Sequence, residues 1–219
     1  MDNEVAKRIK ELLEEYDSLK IKEETDELFV LSGVIRIHRS VEQYVLNKAY
    51  DISVIIPKDR NILPYVIDDG KAIKTGYPHI YSDRKLCLAT DIDMRVALNK
   101  DQSLVMWMRK FVEPYFVSYE YYTRYGVFPM GDRPHGAAGI IQSYMELFDV
   151  EEPQAKTMIL FLYNESYRGH QLCPCGSGNR MRKCHGKQLL YFYNNFELLN
   201  QAKTDCLMIV REVLQNENS

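Results

Sequence analysis

Two periods of hydrophobic and polar positions run along this chain, and the switches between them mark out its elements. Val5, Ile9, Leu12, Leu13 and Tyr16 recur at helical spacing with Lys7, Arg8, Lys10, Glu11, Glu14 and Glu15 between them, which predicts an opening amphipathic helix with one stripe to bury. From Phe29 to His38 the period falls to two: Phe29, Leu31, Gly33, Ile35 and Ile37 share one side, and Tyr50 to Ile56 alternates likewise. Two such runs in succession predict strands of an antiparallel meander. Pro57 and Pro64 admit only a short third strand around Tyr65 to Asp68, after which Asp69-Gly70 supplies a turn.

Downstream the helical period returns. Asp91 and Asp93 are expected in a loop, and Ser103 is placed to cap a helix carrying Leu104, Trp107, Met108, Phe111 and Tyr115 on one face. The Tyr-rich continuation to Phe128 has Arg124 as its single interleaved cation, so it reads as packing surface and not as a base-stacking platform. Asp132 and Pro134 are suited to start a helix through Ile140, Ile141, Tyr144, Leu147 and Phe148. Pro153 then starts another through Ala155, Met158, Ile159, Leu162 and Tyr163. Leu189, Leu190, Tyr193, Phe196, Leu199, Leu207, Val210 and Leu214 carry the same spacing towards a polar tail. Glu151-Glu152-Pro153 reads as a boundary, which divides the chain into residues 1–150 and a helical region 151–219. The expected class is α+β, a meander packed on helices with a small helical appendage.

A length of 219 residues is enough for one sizeable domain with an appendage, and 46% hydrophobic with 27% charged residues is a globular balance. No run approaches the ~20 apolar residues that span a bilayer, so no membrane partner is expected. The first residues lack the basic-then-apolar pattern of a signal peptide, and the expected location is the reducing cytoplasm, where five cysteines are thiols or metal ligands. A net charge of −3 removes the global basic footprint of a duplex nucleic-acid binder.

Candidate chemistry lies in two places. In the first, Tyr77-Pro78-His79 precedes Cys87, which is flanked by Leu86 and Leu88. Cys87 is the candidate nucleophile, and Arg84 and Lys85 are close enough in sequence to favour its thiolate. The competing reading is a small buried hydrophobe between two leucines. The second place is Cys173-Pro174-Cys175-Gly176-Ser177-Gly178 followed by Cys184-His185. Three soft thiolates and one imidazole suit a closed tetrahedral zinc site, structural because four protein ligands leave no open position. Arg180, Arg182, Lys183 and Lys187 surround it as a solvated basic rim, His170 is at most an outer neighbour, and Cys206 is expected to be a core thiol.

Both places carry a resemblance. Residues 173–186 resemble the SEC-C zinc motif. Tyr77-Pro78-His79 stands where ubiquitin-conjugating enzymes have His-Pro-Asn before their acceptor cysteine, and Ile56-Pro57-Lys58-Asp59 and Leu63-Pro64-Tyr65-Val66 are similar to that family's Phe-Pro-x-Asp and Pro-Pro-x-Val segments. The resemblance is to divergent bacterial members and covers roughly residues 1–148. It implies a ubiquitin-conjugating fold and an acyltransferase that holds a protein C-terminus as a thioester on Cys87. His79, in place of the usual Asn, is then either an oxyanion donor able to exchange protons or a brace for the loop. Asp91, Asp93 or Asp83 would orient the amine.

The bacterial relatives act in ubiquitin-like pathways, several beside the cyclic-oligonucleotide anti-phage system (CBASS). The implied partners are therefore a ubiquitin-like protein or a cGAS-like nucleotidyltransferase. Without a Gly-x-Gly-x-x-Gly fingerprint or a P-loop in the sequence, activation falls to a separate enzyme or a preformed donor. The rival is a catalytically silent adaptor in which the two regions together grip a protein or nucleic acid.

Overall fold

The computed structural model describes residues 3–41, 43–129 and 131–217. Helix α1 (Asn3–Glu15) is followed by strands β1 (Lys20–Glu24), β2 (Leu28–Val41), β3 (Tyr44–Pro57) and β4 (Tyr65–Ile67). The strands form one antiparallel sheet in the order β1-β2-β3-β4. Pairing of β2 with β3 runs from Leu28 opposite Pro57 to Val41 opposite Tyr44. Phe29, Leu31, Ile35 and Ile37 are all buried, so the period-two reading of β2 gives the core face. The observed class is α+β, as the pattern predicts.

Then come α2 (Asp91–Lys100), α3 (Leu104–Trp107), a π turn (Met108–Val112) and α4 (Glu113–Tyr125). Ser103 caps α3, its Oγ accepting from Met106 N at 3.2 Å, and Gly126 ends α4 in the left-handed region at φ 73°. One face of this helical run supplies Trp107, Met108, Val112 and Phe116, all fully buried, and Phe116 stacks on Tyr50 of β3 with ring centroids 4.0 Å apart.

The loop expected at Asp91 and Asp93 is instead the first turn of α2. Asp93 N donates to Thr90 Oγ1 at 3.4 Å, and carboxylates in a first turn favour the helix dipole. Ile92, Met94, Val96 and Ala97 are all buried. A ten-residue helix covered on several sides has no single apolar stripe to betray it.

The remaining helices are α5 (Gly136–Phe148), α6 (Glu152–Asn164), α7 (Gly186–Tyr193) and α8 (Phe196–Glu217), with a 3₁₀ turn at Met181–Lys183. Pro153 sits in the first turn of α6 as expected. Helix α5, however, begins after Asp132 and Pro134, and its N-terminal Ala137 amide donates to the Glu212 carboxylate of α8 at 2.8 Å. A distant acid supplies the cap that the local sequence suggested for Asp132.

The chain packs as two compact units, Met1–Ala89 with Ala97–Asp132, and Thr90–Val96 with Arg133–Ser219. Helix α5 packs on α6 and α8, and so lies in the second unit. The core of that unit joins Ile92 and Val96 to Tyr144, Phe148, Met158, Leu162, Phe192 and Leu198.

Candidate functional site

Cys87 sits in the irregular segment after β4, and a buried carboxylate organises that segment. Asp68, fully buried, accepts from the amides of Ala72 at 3.0 Å and Ile73 at 2.8 Å and forms an ion pair with Arg84. Arg84 also donates to Ile73 O at 2.7 Å, which closes the loop on itself. A buried charge with this many partners is compensated; with any removed it would not be. The returning segment is stitched to β4 by Leu86 N donating to Val66 O at 2.9 Å.

The Tyr-rich helix α4 clamps the other side. Tyr119 Oη donates to Ala72 O at 3.2 Å and accepts from Lys74 N at 3.1 Å. Tyr77 is buried among Tyr115, Tyr119, Tyr122 and Phe128, with ring centroids 5.0 to 6.1 Å away. Burial raises both the Tyr77 and the Tyr115 hydroxyls well above the ordinary phenol range, so both are neutral hydrogen-bonding groups at physiological pH.

His79 and Cys87 meet within this frame. The carbonyl of His79 accepts from Cys87 N and from Tyr115 Oη, both at 2.9 Å. A ring nitrogen of His79 and the Cys87 Sγ lie within 4.8 Å of each other. His79 Nε2 is 3.1 Å from the carboxylate of Asp132, and the imidazole edge packs on Phe128. Cys87 is half-buried while its neighbour Leu86 is buried, which separates it from the fully buried thiol of the bland reading. The two cations expected to favour its thiolate have other partners: Arg84 holds Asp68, and the Lys85 ammonium lies over the Tyr65 ring at 4.6 Å.

Of the three candidate amine-orienting acids, Asp83 accepts from the Lys85 amide at 3.1 Å, and Asp93 is held by Arg133 and by Ser143 Oγ. Asp91 stands exposed at the start of α2. Sequence reasoning missed the parts played by Asp68 within the segment and by Tyr115, Tyr119 and Asp132, which reach it from elsewhere in the chain.

In the second unit the ligand atoms of Cys173, Cys175, Cys184 and His185 all lie within 4.8 Å of one another. The Sγ atoms of Cys173 and Cys184 are 3.4 and 3.2 Å from His185 Nδ1, and Cys175 Sγ is 3.6 Å from Cys184 Sγ. A tetrahedral ion with ordinary zinc–sulfur and zinc–nitrogen bond lengths requires edges of about 3.5–3.8 Å, so the donor set has the size as well as the chemistry for such a metal. Gly176 and Gly178, at φ 77° and 75°, take the left-handed turns that double the chain back, and Cys173 N donates to Asn179 O at 2.7 Å across the bend.

The thiols are unequal. Burial pushes Cys173 up to about 11. Burial acts on Cys175 in the same sense, but hydrogen bonds from the Ser177 side chain and backbone outweigh it and bring that thiol down to about 6. Met181, fully buried beneath the knuckle, and the edge-on contact of His185 with Phe148 tie the cluster to the helical core. Cys206 is buried in that core and apart from the cluster, as expected, and Arg180, Arg182, Lys183 and Lys187 are exposed. Comparison with protein-family models, curated proteins and solved structures gives no match. The function therefore has to be argued from these two sites.

Proposed function

We propose that this chain is a cysteine acyltransferase of the ubiquitin-conjugating type, with Cys87 as the residue that carries the acyl group. The observation that carries the reading is the pairing of an accessible, half-buried Cys87 with His79, backbone to backbone at 2.9 Å and side chain to side chain within 4.8 Å. The order of α1, a four-stranded meander and a cysteine-bearing segment is the order that the resemblance implies. In this reading the Cys87 thiolate attacks an activated C-terminal carboxyl and forms a thioester, which an amine then opens to an amide. Of the acids that the resemblance implies for orienting the amine, Asp91 is the one that stands exposed, at the start of α2. The carried group is a ubiquitin-like protein or a cGAS-like nucleotidyltransferase of an anti-phage system, loaded by a separate activating enzyme, in the cytoplasm.

Cys173, Cys175, Cys184 and His185 hold one structural zinc in this reading, because the closed donor set leaves no position for a reacting water.

Trapping tests the proposal. With a cognate donor and its activating enzyme, Cys87→Ser should give an adduct that resists thiol reductants, whereas the wild-type adduct is released by them. A partner trapped equally on both proteins places the link elsewhere. A native Cys87 that does not react with maleimide supports the adaptor reading instead, which the exposed apolar row Leu207, Val210 and Leu214 on α8 also favours.

A further inference from the structure

A groove of about 1120 Å³ lies along α5 in the second unit, and the proposed function makes no use of it. Ala138, Ile141 and Met145 recur along it at helical spacing, and Val150 of the α5–α6 turn extends the same apolar strip. Ile141 is buried and Met145 and Val150 are half-buried, so the strip is a floor. Gly176 and Ser177 of the knuckle loop, with His185, contribute another wall. The volume exceeds what one small molecule ordinarily fills and suits a length of chain.

The charge around this floor has one sign. Glu146, Asp149, Glu151, Glu152 and Glu212 line the groove, and no Lys or Arg does. Three of these acids are answered: Glu146 pairs with Arg133 at 2.5 Å, Glu152 with Lys156 at 2.6 Å, and Glu212 accepts from the Ala137 amide at 2.8 Å. Asp149 and Glu151 are exposed, with no cation in ion-pair reach among the described residues. A metal ion would answer those acids and leave the floor bare. A nucleic acid or an anionic membrane would be repelled.

We propose that this groove docks a basic segment of a partner protein, one in which Lys or Arg residues flank one or two aliphatic side chains. The aliphatic side chains rest on Ile141, Met145 and Val150 and set the register. The flanking cations meet Asp149 and Glu151 at the rim, which speeds encounter and rejects acidic partners. The inference does not depend on the Cys87 reading, since every lining residue belongs to the second unit.

The probe is a fluorescein-labelled peptide, Gly-Lys-Arg-Leu-Leu-Arg-Lys-Gly, titrated with the full chain and read by fluorescence anisotropy. Replacing both of its leucines by serine should weaken binding about 10-fold, and replacing its cations by glutamate should abolish it. Asp149→Asn combined with Glu151→Gln should weaken binding about fivefold. These changes spare the fold, because Asn is at home in the left-handed conformation that Asp149 takes at φ 55°, and the Glu151 side chain makes no capping bond to α6. Ala138→Lys, at an exposed helical position lining the groove, should weaken binding about 10-fold. Glu23→Gln combined with Glu27→Gln removes as much charge from the exposed surface of the first unit and should leave binding within about 1.5-fold.

Equal weakening by that control pair, equal binding of the leucine and serine peptides, or displacement of the probe by an equal concentration of spermidine means that charge alone is read, and overturns the inference. Wild-type binding by the Asp149→Asn, Glu151→Gln protein also overturns it, as does a wild-type chain that leaves the probe unbound at about 1 mM.

Discussion

Asp205 is the most exposed to argument of the buried acids, because its surroundings are polar and yet insufficient. It lies in α8 with 2% of its surface accessible, accepting from Tyr144 Oη and from Gln201 Nε2, both at 2.8 Å, while Arg95 binds Gln201 and not the acid itself. Burial raises its carboxyl to about 6, against the lowering effect of those two hydrogen bonds. An acid whose folded pKa lies above its unfolded value binds more protons when folded, so its contribution to stability is fullest below about 4 and is lost as pH rises through 6. Asp205→Asn removes that titration. The stability of the variant relative to wild type should rise between pH 5 and pH 7.5, by roughly 1 kcal/mol, in paired urea melts. A difference that is flat or falls over that window contradicts the assignment. None of this was legible in the sequence, where Asp205 and Gln201 are ordinary helix-surface residues; only the approach of Tyr144 from α5 makes their burial tolerable.

At the scale of elements, the sequence was most legible where one face of an element is buried and the other is wet. Helix α1 and strand β2 have that arrangement, and their periods pick out buried residues at Val5, Ile9, Leu12, Phe29, Leu31, Ile35 and Ile37, with Leu13 and Gly33 half-buried. Strand β1 has no buried residue at all, so its period carried no signal and it was missed. Helix α8 misled in the opposite way. Of the apolar positions that the helical spacing picks out, Phe196, Leu207, Val210 and Leu214 are exposed, whereas Leu198, Gln201, Ala202, Asp205, Cys206 and Ile209 form the buried face. Both rows have helical spacing, and the inner one is disguised by two polar residues whose partners are remote. In the run from α3 to α4, the π turn resets the phase, so that Leu104 and Trp107 before it, Met108 and Val112 within it, and Tyr115, Phe116 and Tyr119 after it are all buried. Gly33 in β2 has a stricter demand. A Cβ there would lie 2.2 Å from the backbone oxygen of Ser18, which cannot swing aside as a side chain tip would. Gly33→Ala should therefore destabilise the first unit by about 3 kcal/mol, seen as an earlier urea midpoint with an unchanged slope. A substitution that costs under about 0.5 kcal/mol would mean the chain near Ser18 yields easily.

For the whole molecule, the proposed metal bears on the second unit and not on the first. The knuckle rests on the core of α5 to α8, through Met181 and Phe148, so metal loss should loosen the second unit first. The chain's single tryptophan, Trp107, is fully buried in the first unit and reports on that unit. A strong chelator should lower helical circular dichroism and release one zinc per chain while Trp107 emission stays constant. Cys173→Ala should reproduce that result, and a shift of Trp107 emission in step with metal release would contradict it. The cluster of Cys173, Cys175, Cys184 and His185, which could hold a metal ion, was readable from sequence because its chemistry is local, two short cysteine-bearing strings joined by a glycine turn. Asp132 was not, because its nearest cue was a helix start, and its real partner lies on a segment read long before it.

Helix α2 has a bearing on biosynthesis. Ile92 and Val96 belong to the core of the second unit, while the same helix from Ala97 onward belongs to the first. On the ribosome, α2 emerges complete but with those two side chains bare, since the helices that cover them follow only after residue 132 has been made. A nascent chain paused there has a finished sheet and an apolar turn awaiting cover, the kind of surface that chaperones hold. The helices made last thus complete a core that the start of α2 begins.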